Sequence, residues 1–567
     1  MADSNSPSES AAVVSVPTER PRTEDTKSEK FRFSFRRLAA FLGPGFLMSI
    51  AYLDPGNIES DLRSGTLAGL NLLWVLLLAH VLGLLLQRLS ARLGVVAGKH
   101  MAEVAYVYYP RVPRLILWIM IEIAIIGADM QEVIGTAIAW NLLSNGYLPL
   151  WAGVLITIVD TMTFLLLDRY GLRKLEVFFC FLIAVMGLTF GIEYVFSAPS
   201  QLEVLSGVFI PKCPNCDTTI FLQAVGIIGA VIMPHNLYLH SALVSKSGNV
   251  DRTKRTAVSE ANVYNVIESG LALGCSFVIN LFVVAVFAVG LHGKSNAEVH
   301  AVCEARHDPH SSVFPNNNDT VSVDIYRGGL FLGCQYGPTA LYVWGIGVLA
   351  AGQSSTMAGC YAGQFVMEGF VNLSWSRWKR VFFSRSIAIV PTLIVAVFRD
   401  VRQLTGMNDL LNALQMLQLP FALLPILTFT SSKAVMSDFR ISVLSRVLLG
   451  FVACLAIGIN LYFIFDFINS ITAHSPGAYV GIGLLMAVYF LMVFYFAVYC
   501  LIAMGAEACY NLRCANRFFP EPVETNIDAP WLNTMKPAGY GSINSPDEPV
   551  VDDATVVTND REAILAF

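Results

Sequence analysis

Two short runs carry the residues best suited to chemistry. Asp54-Pro55-Gly56-Asn57 interrupts the first long apolar segment, and Met233-Pro234-His235-Asn236 interrupts the sixth. Their side chains include a carboxylate, an amide and a thioether, a set that suits a metal cation. Hard Ca²⁺ and Mg²⁺ prefer all-oxygen shells, whereas a thioether favours softer transition metals. Met233 is therefore the discriminating residue, set against the plainer reading that it fills core space. Proline removes a backbone donor and glycine permits unusual dihedrals, so carbonyls and helix ends at each break can turn toward an ion. A charged Asp at membrane depth is costly, which marks Asp54 as functional. The competing reading is an N-cap, since Asp-Pro is a common helix start.

A second set lies on the third apolar segment. Glu122, Asp129 and Glu132 are spaced by seven and three residues, which brings them round to one helical face. Intramembrane acids and histidines form proton relays, and His235 and His240 can pass protons near neutral pH. Arg385, in the ninth segment, either pairs with one of these acids or snorkels to the interface. In the tenth segment Asn412, Gln415 and Gln418 precede Pro420. An amide oxygen there, Asn412 first, could complete a metal shell or simply hydrogen-bond between helices. The small, polar run Gly352–Gly359 is expected to lie between the eighth and ninth helices.

Such groups need elements that hold them inside a membrane. Of 567 residues, 55% are hydrophobic and only 14% charged, with mean hydropathy +0.58. A soluble globular protein carries about 25% charged residues, so this composition specifies an all-α integral membrane protein. With about 20 apolar residues per span, about twelve candidates appear: 38–68, 70–89, 114–142, 149–168, 175–197, 219–244, 260–290, 328–352, 382–398, 408–430, 443–466 and 478–504. Breaks in the first and sixth imply two five-helix repeats of inverted topology, about 38–197 and 219–430, with two added helices at about 443–504. Irregular backbone at membrane depth is tolerated only where it is buried in protein or lines a cavity.

Residues 1–35 and 509–567 read as tails flanking a transporter domain over 36–508. The first 30 residues are rich in Ser, Pro and acids with no apolar core, so they do not form a cleavable signal. Lys and Arg cluster after alternate segments, beginning with Arg36 and Arg37 before the first, which places both termini in the cytoplasm. Loop 291–327 then faces outward with the glycosylation sequon at Asn318, whereas the sequon at Asn372 falls on the cytoplasmic side. The same outward loop holds His292, His300, His307 and His310, where solvated histidines are the plainer reading than metal capture. Cys213 and Cys216 form a lone C-x-x-C, a weak zinc signal; facing outward, they favour a disulfide, and Cys303 lies in another polar loop. Cys334 and five further cysteines lie in or near apolar segments, where packing is expected. In the tail, Tyr540 through Ile543 fits a tyrosine-based endocytic signal, pointing to endocytic adaptors and to plasma, endosomal or lysosomal membrane.

These motifs resemble the natural resistance-associated macrophage protein (Nramp) family of proton-coupled divalent-metal transporters, animal type. The likeness rests on DPGN at 54–57, MPHN at 233–236 and GQSSTMAGCYAGQFVMEGF at 352–370, and runs from about residue 35 to 510. It implies a LeuT-like fold and import of Fe²⁺, Mn²⁺ and similar ions (Co²⁺, Cd²⁺, Zn²⁺) with H⁺, without a resident cofactor. It implies that Asp54, Asn57, Met233 and the carbonyl of Ala230 bind metal, and that Asp129, Glu132, His235 and Arg385 match proton-pathway positions. Asn412 stands where some bacterial members carry a metal-binding Gln, and Cys360 where a Thr is frequent. A sodium-coupled organic-solute carrier of similar architecture is the rival, and predicts no role for Met233. A receptor or scaffold would not need residue-lined breaks. No nucleophile–base set appears, so an enzyme is not expected, and nothing points to nucleic acid.

Overall fold

A computed structural model describes residues 33–35, 38, 48, 51–167, 172–214, 216–246, 250–252, 254–306, 311–371, 377–398, 401–471 and 476–505. The expectations for the two tails, most of the first half of the first segment, Arg36, Arg37, His307, His310, Asn372, Tyr540 and Ile543 lie outside these residues. Among the described residues the regular structure is helical; the one β feature is an isolated bridge between Ser295 and Thr320. Seven helical stretches are long and apolar enough to cross a membrane, and two shorter apolar ones join them.

The helices run in chain order as α1 (Pro55–Ala68), α2 (Leu73–Ala97), α3 (Met101–Tyr108), α4 (Arg111–Leu143), α5 (Leu150–Leu167), α6 (Leu172–Ser197) and α7 (Gln201–Phe209). There follow α8 (Thr218–Val231), α9 (Pro234–Lys246), α10 (Arg255–Leu291), α11 (Asn296–Ala305), α12 (Ile325–Tyr336) and α13 (Pro338–Val371). The last are α14 (Arg377–Phe398), α15 (Val401–Gln418), α16 (Pro420–Ser431), α17 (Lys433–Met436), α18 (Val443–Ile471) and α19 (Pro476–Met504). At 33 and 34 residues, α4 and α13 are also long enough to span, each about 50 Å at 1.5 Å per residue.

The sixth segment breaks where expected, between α8 and α9, and the tenth divides at Pro420 into α15 and α16. The eighth differs from expectation. Residues 328–352 are not one helix, because Gly337 takes φ +100 and ends α12, and Pro338 starts α13. Gly352–Gly359 is consequently no connection between helices; it lies inside α13. Its small residues let α13 approach α4: a Cβ at Gly359 would lie 2.6 Å from Asp129 Oδ1.

Cross-links between helix ends sort the loops onto two faces. On one, the Arg252 guanidinium donates to the carbonyls of Val95 at 3.0 Å and of Gly94 and Ser245 at 3.4 Å, joining the ends of α2 and α9. Lys246 pairs with Glu368 of α13, and Arg255 with Asp438. These basic loops follow the second, sixth, eighth and tenth segments, as alternation requires. On the other face His292 meets the Thr66 carbonyl at the end of α1, Glu59 accepts from the Ile325 N–H, and Tyr336 donates to Ser197. Disulfides Cys213–Cys216 and Cys303–Cys334 both belong to this second face. Cys334 is thus a bridging residue, not the packing residue its apolar setting suggested.

The distribution of polarity is inverted relative to a soluble protein. Asp54, Asn57, Glu132, His240 and Asn280 are buried, whereas Leu444, Phe451, Val480 and Leu484 on α18 and α19 are more than 60% exposed. Those aliphatic faces suit acyl chains, and the polar interior is where irregular backbone is tolerated.

Candidate functional site

The first break is built by Pro55 at the start of α1. Asp54 caps that helix: its Oδ1 accepts from the Asn57 N–H at 2.8 Å and from Asn57 Nδ2 at 2.6 Å. The N-cap and ligand readings are therefore compatible, because capping uses one oxygen. Asp54 Oδ2 is buried with no hydrogen-bond partner among the described residues. Proline has no N–H for the carbonyl four residues earlier, that of Ala51. Asn236 from the second break supplies a donor to it at 3.3 Å, and Asn280 of α10 donates to the neighbouring Tyr52 carbonyl at 3.1 Å.

The second break repeats the device. Pro234 opens α9 and cannot donate to the carbonyl four residues back, which belongs to Ala230. Met233 sits in the break and is 2% exposed. The Asn236–Ala51 bond holds the two breaks against each other. Helix α15 passes beside both: a Cβ at Gly229 would lie 2.7 Å from the Asn412 carbonyl oxygen, and Asn412 Nδ2 stands 3.4 Å from the Gly56 carbonyl. Asn412 thus turns its amide nitrogen, not its oxygen, toward the first break. Its Oδ1 accepts from Gln131 Nε2 of α4 at 2.7 Å. Among the described residues no three His, Cys, Asp or Glu cluster to hold a metal; the donors at the breaks are a carboxylate, amides, a carbonyl and a thioether.

The α4 acids form a separate group. Arg385 is 4% exposed, so it pairs inside the protein and does not snorkel. Its Nη2 lies 3.0 Å from Glu132 Oε2, and its Nη1 3.5 Å from Asp129 Oδ1. It also donates to the Thr356 carbonyl at 2.6 Å and stands 3.6 Å from Cys360 Sγ. Ser355 donates to Glu132 Oε1 at 2.7 Å. One fixed cation facing two carboxylates leaves the group with one negative charge when both are ionised, and neutral when one takes a proton. Burial penalises the charged arrangement.

Other expected proton residues stand apart. Glu122 is half-buried, and its Oε1 accepts from the Trp118 indole at 2.9 Å. His235 and His240 are buried on α9, and among the described residues no hydrogen bond joins them to the α4 acids. Asn318 is exposed in its loop. Sequence reasoning missed Gln131, although it lies between Asp129 and Glu132, and passed over the buried acids Asp61, Glu193 and Glu268. A polar residue inside an apolar helix was the available signal.

Known proteins resemble this chain over most of its length. The family model described as natural resistance-associated macrophage protein-like matches residues 45–466. Natural resistance-associated macrophage protein 1 of Gallus gallus is 61% identical over 501 residues, covering 88% of this chain and 89% of the relative. The solved manganese transporter of Eremococcus coleocola superposes with TM-score 0.69 at 28% identity, over 84% of this chain and 96% of that one. Mhp1, a nucleobase-cation-symport-1 family transporter, shares the fold at TM-score 0.50 and 13% identity, over 84% and 94% of the two chains. The chain therefore belongs to the natural resistance-associated macrophage protein family, whose members are membrane transporters and not enzymes.

Proposed function

We propose that this protein imports divalent transition-metal ions, Fe²⁺ and Mn²⁺ foremost, into the cytoplasm together with protons by alternating access. Metal transport is supported by the family and by the Eremococcus relative, a manganese transporter. The observation that carries the reading is the pair of breaks joined by the Asn236–Ala51 bond, with Asp54 Oδ2 left unpartnered among the described residues. The cation sheds most of its water between the breaks and is held by Asp54, Asn57, Met233 and the Ala230 carbonyl. Thioether donation at Met233 disfavours Ca²⁺, which prefers oxygen. Protons pass through Asp54 and the Arg385–Glu132–Asp129 group, with His235 and His240 lining α9. Rocking of the broken helices then releases metal to the other side.

The face bearing Arg252 and Lys246 is cytoplasmic on this reading, by its basic loops. The face with the two disulfides is outward or luminal, where oxidising conditions sustain them, and Asn318 is a glycosylation site there. The protein cycles between plasma and endosomal membranes through adaptors that engage Tyr540 and Ile543.

Uptake of Mn²⁺ at about pH 5.5 and about pH 7.5, with excess Ca²⁺, in wild type and Met233→Ala is the test. Acid-favoured uptake that ignores Ca²⁺ in wild type and becomes Ca²⁺-sensitive in the variant is expected. Surface-expressed protein that moves no Mn²⁺ at either pH would sink the reading.

A further inference from the structure

We propose that Gln131 is a further ligand for the transported cation, supplying from α4 the amide oxygen that Asn412 cannot present. The proposal rests on the metal-transport reading above. Its basis is the orientation of two buried amides, each fixed by a backbone carbonyl, which can only accept. The Asn408 carbonyl lies 3.2 Å from one end of the Gln131 amide, so that end is Nε2. The same Nε2 donates to Asn412 Oδ1 at 2.7 Å. The Gly56 carbonyl lies 3.4 Å from the other end of the Asn412 amide, so that end is Nδ2. Asn412 therefore shows an N–H to the broken helix, and an N–H repels a cation.

Gln131 shows the opposite. With its nitrogen committed to α15, its Oε1 is buried and has no hydrogen-bond partner among the described residues. It lies against the first break: a Cβ at Gly56 would stand 2.9 Å from Oε1 and 2.7 Å from Nε2. Gly56 leaves the space that lets this amide reach the backbone between Asp54 and Asn57. Among the described residues, Asp54 Oδ2 is also a buried acceptor of that break without a partner. Unsatisfied buried acceptors are costly, and one cation satisfies both. Asn412 then acts as a positioning residue that aims Gln131.

The test is Mn²⁺ uptake kinetics by the full chain in proteoliposomes. Gln131→Leu is expected to raise KM about tenfold with maximal rate retained, the order seen on losing a group that supports a metal. The double variant Gln131→Leu/Asn412→Leu matches Gln131→Leu alone. Gln131→Glu keeps an oxygen, adds charge and makes Ca²⁺ a better competitor. An unchanged or lowered KM in Gln131→Leu, with Asn412→Leu raising KM by itself, overturns the proposal and returns the ligand role to Asn412. If Gln131→Leu fails to reach the membrane, Gln131→Glu decides, and unaltered Ca²⁺ competition overturns. Uptake abolished by Asp54→Ala yet indifferent to Gln131→Leu defeats this proposal alone. Absence of Mn²⁺ uptake in wild type defeats the transport reading itself.

Discussion

Asp54 and Glu132 are both buried carboxylates at membrane depth, and the protein holds them in different ways. Asp54 sits at a helix end that its own side chain caps, with one oxygen engaged and one without a partner among the described residues. Glu132 sits in an unbroken helix with both oxygens engaged, one by Arg385 and one by Ser355. A carboxylate with an unused oxygen can receive a mobile cation. One already facing a fixed guanidinium gains little from a second cation but can exchange a proton against it. On the proposed function, the contrast gives metal binding to the broken helices and a proton role alone to the α4–α14 pair.

Substitutions at each site can break that assignment. The largest effect is expected for Asp54→Ala, which removes the one carboxylate at the breaks and should lower Mn²⁺ uptake at least about a hundredfold. Radiolabelled uptake normalised to surface protein measures it; near-normal uptake would place the metal elsewhere. Next is Arg385→Met, which leaves two buried acids without their cation. It should cost about 3–5 kcal/mol of stability, read as a lowered melting temperature in detergent. Adding Glu132→Gln should return part of the loss; if it deepens the loss, the two groups do not act as a pair. Ser355→Ala should cost less, about 1.5–3 kcal/mol for one hydrogen bond to a charged group, while leaving metal KM unchanged. A KM change there would join the two sites that the comparison separates. Glu122→Gln should do least, altering uptake less than about twofold, since that residue bonds to Trp118 outside the Arg385 group. A collapse of proton-driven uptake in Glu122→Gln would extend the proton route along α4.

Much of this was legible in the sequence because it obeys local rules. Pro55 and Pro234 each remove a backbone donor wherever the chain folds, so the breaks follow from residue type. Asp129 and Glu132 share a face by helical period alone, and basic residues mark one face by number. The Gly337-Pro338 junction was also readable, since such a dipeptide ends a helix, but the hydropathy of the surrounding residues hid it. Pairings between distant segments were not readable. Whether Arg385 turns inward depends on the approach that Gly359 permits between α13 and α4. Gln131 is one polar residue among several until the Asn408 carbonyl of α15 fixes which way its amide points. Cys334 resembled a packing residue because its partner, Cys303, lies 31 residues away on another helix.

The Arg252 guanidinium has a mechanical consequence. By gripping the last carbonyls of both α2 and α9, it makes those two helix ends a single lever on that face. Ser90 bonding to the Leu237 carbonyl and the Met101 N–H bonding to Ser241 add rungs along the same seam. These contacts couple the lower half of the sixth segment to α2. Between that lever and α8 lies the two-residue gap at Ile232 and Met233, so the residue proposed to select the cargo also sits at the fulcrum.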